Sequence, residues 1–171
     1  MDYITKAASR NQLRQYGPIF RELFDVPLTG RFPVLDALEK LRDVFEGSCY
    51  IVVDDEEMPK NVVAQCIKNE QKGFTIEIKQ SVYDGAYKRI GAYLGFILHE
   101  MVHVFMYEIG YTPILQRSFG EVPVYCYVEW QVKALTGEIA MPYDETEGMT
   151  VPELMKKYNV SKGFAKARQR Y

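Results

Sequence analysis

Apolar and polar positions along the chain change their period twice. From Ile4 to about Tyr16 apolar residues recur at helical spacing, and Pro18 is placed to open a second short helix through Phe24, since proline suits a first turn. "FPVLDALEKLRDVFEG" puts Val34, Leu35, Leu38, Leu41, Val44 and Phe45 on one helical stripe, with Gly47 as its stop. The period then shortens. "SCYIVVDD", "NVVAQCIKN" and "GFTIEIKQS" are rich in β-branched residues and separated by charged or glycine turns, which predicts three strands in a small antiparallel sheet. The third alternates most regularly, Phe74, Ile76 and Ile78 against Thr75, Glu77 and Lys79.

From Tyr87 to about Glu108 the pattern returns to helix and is apolar nearly all round, so this helix belongs in the middle of the molecule. A loop holding Pro113 and Gly120 leads to another helix, roughly Pro123 to Thr136, that ends near Gly137. The C-terminal element, about 150–171, predicts two short helices split at Asn159-Val160-Ser161, with Ser161 capping the second. With no repeat, low-complexity segment or linker, residues 1–171 read as one α+β domain.

Composition removes several classes of function. The chain has 171 residues, 47% of them hydrophobic, and a net charge of −2, so nothing drives it globally toward nucleic acid or an anionic membrane. Its N-terminus lacks the layout of a signal peptide. The apolar stretch Gly91 to Phe105 is too short and too polar to span a bilayer. Three scattered cysteines make no disulfide framework, and the expectation is a cytoplasmic protein.

The chemistry lies in "FILHEMVHVFMYEIG", Phe96 to Gly110. His99 and His103, the only two histidines, sit four residues apart on the predicted helix and project from one face. Two neutral imidazoles at that spacing hold Zn²⁺, which acidifies a water, and the adjacent Glu100 can take the proton. Two imidazoles and a carboxylate in so apolar a helix would cost several kcal/mol if nothing paired with them, so a metal site is favoured over satisfied core histidines. A catalytic zinc needs a third protein ligand. Glu108 lies about 140° round the helix from His103, pointing elsewhere. Glu121 suits a helix start for capping reasons alone. Glu129, placed mid-helix among Val128, Trp130 and Val132, needs a partner for its charge and is preferred; Cys126 is the alternative.

HEMVH, then Glu129, then "EWQVKALTGEIAMP" resembles the ImmA/IrrE family of metallopeptidases. Glu129 and Met141-Pro142 stand where that family's second helix has its first Glu and its closing Met-Pro. "SVYDGAYKRIGAYLGFILHE", with Arg89, is similar to the family's approach to the motif, and "VPELMKKYNVSKGFAKARQRY" to its C-terminal element. The likeness runs from about Gly73 to the end. It departs at Val132, Lys133 and Leu135, where the family has alanine, Asn or Asp, and phenylalanine. Lys133 matters most, because a carboxylate or amide there would orient a ligating histidine, and its loss bears on catalytic efficiency more than on metal binding.

The resemblance implies a zincin-like domain in which Zn²⁺ is held by His99, His103 and Glu129 with Glu100 as the catalytic base. It also implies an intracellular, site-specific endopeptidase whose protein substrate is a regulator such as a DNA-binding helix-turn-helix repressor, in phage or mobile-element control. The strand Gly73 to Gln80, if it is a sheet edge, could hold an extended peptide. The rival from another class is a zincin-fold binding module that sequesters a regulator, weakly active or inactive; Lys133 favours it. Peptide deformylase shares HExxH but needs glycine-rich and cysteine-containing segments that are missing here. Tyr107, Tyr111, Tyr125 and Tyr127 flank the motif, and any one could steady an oxyanion, though amphipathic packing explains them as well. "DDEE", Asp54 to Glu57, reads as a solvated turn. The basic tail, Lys156 to Arg170, is too short for a DNA-binding helix-turn-helix, and direct nucleic-acid contact is not expected.

Overall fold

The computed structural model describes residues 2–114 and 120–171. Helix α1 (Arg10–Leu23) opens on a capping box in which Ser9 Oγ accepts from the Gln12 N–H and the Gln12 side chain accepts from the Ser9 N–H. It runs unbroken through Pro18, so the two expected helices are one. Leu13, Gly17, Phe20 and Phe24 stay in phase across the proline and are all buried. Their packing outweighs the ~3 kcal/mol that an interior proline costs. Residues 4–9, expected to be helical, are not: Ile4 forms an antiparallel bridge with Tyr127, and Thr5 N–H donates to Cys126 O at 2.8 Å. The second stripe breaks at Lys40 into α2 (Val34–Glu39) and α3 (Leu41–Val44).

Strands β1 (Cys49–Val53), β2 (Ala64–Lys68) and β3 (Phe74–Lys79) form a sheet of order β1-β3-β2. β2 and β3 are antiparallel, but β1 runs parallel to β3, so the sheet is mixed and not antiparallel. The connection after β1, which carries an exposed 3-10 turn at Asp55–Glu57, takes the chain to the far edge and leaves the middle place to β3. β3 is therefore buried: Ile76 and Ile78 are fully enclosed, and the buried Lys79 donates from Nζ to Pro59 O at 2.8 Å. Being paired on both sides, β3 is not the edge strand that the sequence allowed it to be.

Helix α4 (Gln80–Tyr87) follows β3, and the helix expected from Tyr87 starts instead at Gly91, as α5 (Gly91–Glu108), bent 115° from α4. The corner at Lys88–Ile90 has Arg89 in the left-handed region (φ 64°). It is held from outside, since Asn159 Nδ2 donates to Arg89 O at 2.9 Å. Gly91 permits the contact, because a Cβ there would lie 2.5 Å from Asn159 O. α5 buries Ile97, Leu98, Met101, Val102, Val104 and Phe105, packing on β2 and β3 and on α6 (Val128–Ala140). α6 continues past the expected stop at Gly137, which is buried within it, and a 3-10 turn (Val124–Cys126) precedes it. Residues 115–119 of the preceding loop lie outside the described residues.

The tail follows expectation, after a short α7 (Tyr143–Thr146). α8 (Val151–Tyr158) starts on a Thr150–Glu153 capping box, and α9 (Lys162–Arg170) on Ser161, whose Oγ accepts from Phe164 N–H at 3.3 Å. α1 and α9 both pack on α6. The architecture is α+β, helices around a small mixed sheet. No single helix among the described residues is long and apolar enough to cross a membrane.

Candidate metal centre

α5 supplies two imidazoles from one face, as the i, i+4 spacing requires, and α6 brings the third group. Glu129 lies in the first turn of α6, not in its middle, and its side chain is 41% exposed. Its charge is thus favoured by the helix N-terminus, a different reason from the burial expected of it. The N-terminal segment fixes that turn: Asp2 Oδ1 accepts from Glu129 N–H at 3.1 Å, and Tyr3 O from Val128 N–H at 2.8 Å.

His103 Nε2 is 2.9 Å from Glu129 Oε1, His99 Nε2 is 3.2 Å from Glu129 Oε2, and the two Nε2 atoms are 3.1 Å apart. A tetrahedral ion bound at ~2.0–2.1 Å holds its ligand atoms about 3.3 Å apart, and the two Nε2 atoms, 3.1 Å from each other and each about 3 Å from a different oxygen of the one carboxylate, lie close to that spacing. Two imidazole nitrogens turned toward each other without a cation would place two lone pairs, or a lone pair and one shared proton, at that distance. His99, His103 and Glu129 can hold a metal ion. Cys126 is not part of the cluster and remains a free thiol.

The electrostatics suit ligation. Burial pulls the His99 imidazole below its ordinary value, against the Glu129 hydrogen bond that raises it, so the neutral, ligating form is favoured. Hydrogen bonds from His103 and His99 hold the Glu129 carboxyl well below the usual carboxylate range. Glu100, beside His99 in sequence, behaves oppositely: burial, aided by the Glu129 charge and opposed by His103, pushes it up to about 7. The two carboxylates of the site are thereby set apart, Glu129 as a group that stays charged and can ligate, Glu100 as one able to take up and return a proton near neutrality.

Glu100 and His103 face a cleft of about 470 Å³ whose other wall is β2, through Gln65, Cys66 and Lys68. Tyr107 and Tyr111 line it too: Tyr107 accepts from Lys68 Nζ at 2.6 Å, which uses its oxygen and leaves its O–H as a donor, and Tyr111 pairs with Tyr16 at 3.0 Å. Tyr125 and Tyr127 are not among its lining residues. On the other side of the cluster, His99 and Lys133 line a second cleft, and the Lys133 charge lowers the basicity of His99. Neither imidazole has a protein partner for Nδ1 among the described residues, so the orienting hydrogen bond common at such sites is missing where Lys133 stands. Sequence reasoning did not find Asp2 and Tyr3, which brace Glu129; their signal is purely tertiary. Compared with protein-family models, curated proteins and solved structures, the chain finds no match.

Proposed function

We propose that the protein is a zinc-dependent endopeptidase of zincin-like fold, similar to the ImmA/IrrE metallopeptidases, acting on a regulatory protein inside the cell. The observation carrying the proposal is the convergence of His99 Nε2, His103 Nε2 and the Glu129 carboxylate within 4.8 Å of one another, with Glu100 beside them on the same helix. Bound by these three side chains, zinc would supply an acidified water and polarise a substrate carbonyl. Glu100 then takes the proton of the attacking water and returns it to the departing amide nitrogen, a role that its raised proton affinity fits. Strand addition moves from β3 to β2, whose outer edge borders the cleft holding Glu100 and His103; a peptide lying extended along it would present its backbone to the cluster.

The substrate favoured by the resemblance is a helix-turn-helix repressor. Co-expression with such a regulator should give a single cut that His99→Ala abolishes; a regulator left both intact and unbound would refute the reading. A second reading keeps the fold and drops the chemistry: a module that sequesters the regulator. Lys133, and the imidazoles without an Nδ1 partner, favour it. A Glu100→Gln protein that still blocks the regulator would establish it.

A further inference from the structure

The cleft on the His99 side has a chemistry that the peptidase reading does not use. It holds about 420 Å³ between α5, α6 and α9 and is lined by Phe96, Trp130, Ala134 and Phe164. Its remaining walls are cationic, with Arg10, Lys133 and Arg168. Behind them a single buried carboxylate, Glu138, serves three guanidinium groups: Arg10 Nε at 3.1 Å, Arg14 Nε at 3.3 Å and Arg168 Nη2 at 2.8 Å. Arg14 also donates from Nη2 to Tyr171 O at 2.8 Å, whereas Arg10 and Arg168, the two guanidinium groups that line the cleft, share the one Glu138 carboxylate, and Lys133 adds a further positive charge to the wall.

Arg168 carries the imbalance furthest. It is 5% exposed, and its close approach to Glu138 is too poorly aligned for a hydrogen bond; Nε, Nη1 and Nη2 make none among the described residues. The Glu138 carboxylate at 2.8 Å offsets part of this charge, and the N–H groups left without acceptors favour further negative charge nearby. Arg10 senses the same excess: burial first, then the charges of Arg168 and Arg14, lower its affinity for its proton, against the Glu138 pair that raises it. An apolar floor ending in surplus positive charge, opening at one end on a metal ligand, is complementary to a bulky apolar side chain next to a carboxylate.

We propose that this cleft is a subsite for a peptide residue with a large apolar side chain followed by a carboxylate, either the side chain of an acidic residue or the end of a chain. Trp130 and Phe164 enclose the side chain, Arg10 and Lys133 meet the carboxylate, and Arg168 supplies charge from behind. The peptide nature of the ligand rests on the peptidase reading; the anion preference does not.

Trp130 is the only tryptophan, so its emission reports occupancy directly. Zinc-loaded protein is titrated with N-acetylphenylalanine amide, N-acetylphenylalanine and N-acetylphenylalanyl-aspartyl amide. At least one acidic probe should bind about tenfold tighter than the neutral amide, the size of one charge-assisted hydrogen bond, and which one does so identifies the source of the carboxylate. Arg10→Gln combined with Lys133→Gln should abolish that preference and leave binding of the neutral amide unchanged. Equal binding of all three probes overturns the proposal. So does a preference that survives both substitutions, since the carboxylate would then be on the metal or elsewhere. The readout is binding, not turnover: an inactive protein that keeps the preference refutes only the peptidase, and an active one without it refutes only the subsite.

Discussion

Glu129 Oε1 sits 2.9 Å from His103 Nε2, although 26 positions separate the two residues and they belong to different helices. Local geometry explains why the two histidines meet; it says nothing about Glu129. That contact exists because α6 packs across α5 while the N-terminal segment pins the first turn of α6 through Asp2 and Tyr3.

Metal uptake should follow from this contact. The purified protein is expected to bind one zinc per chain, measured by elemental analysis, and His99→Ala, His103→Ala and Glu129→Ala to bind none. Zinc at a hundredfold excess over its Kd should stabilise the wild type by about 2.7 kcal/mol, raising Tm by about 5–10 °C for a chain of this size. The three variants should show no such rise.

Glu100→Gln should retain zinc and the Tm of the wild type while hydrolysis of a confirmed substrate falls by at least about 100-fold, because an amide cannot accept the water proton. Wild-type turnover in this variant would remove Glu100 from the mechanism.

Acid should act on the metal-free protein in two stages. His99 is held below its ordinary 6.5 in the folded state, so the unfolded chain binds more protons as pH falls past that value and stability declines. Glu129 is held below its ordinary 4.5, so its contribution is present above that pH and is lost below it. Thermal melts in chelator from pH 8 to pH 3 should show both declines, and Glu129→Gln should lack the second.

Cys66 lines the cleft near Glu100, and burial together with that carboxylate pushes its thiol far above the ordinary 9.0. At pH 8 alkylation of Cys66, followed by mass spectrometry, should be much slower in the folded protein than in denaturant. Equal rates would mean that β2 does not shield the thiol.

Arg21 is buried and donates to the carbonyls of Ile139, Pro27, Thr29 and Gly30, tying the segment after α1 to the end of α6. Arg21→Ala would strand those acceptors and should cost about 3–5 kcal/mol in chemical denaturation. Arg21 is anchored on Ile139, about 15 Å along α6 from Glu129, which predicts unchanged zinc content.

What the sequence determined by itself is what depends on neighbours in the chain. The pairing of His99 with His103, the capping of α9 by Ser161 and the alternation of β3 are set within a turn or a strand, where spacing dictates geometry. Only the tertiary structure decided the rest. A strand pattern carries no direction, so β1 could be read as a strand but not as parallel to β3. Pro18 reads locally as a helix start, yet α1 passes through it because Leu13, Phe20 and Phe24 gain more from packing than the proline takes away. The corner at Arg89 depends on Asn159, seventy positions later, and the surplus of guanidinium groups around Glu138 assembles from α1, α6 and α9. In each of these cases the deciding partner is far along the chain, where no local periodicity reaches it.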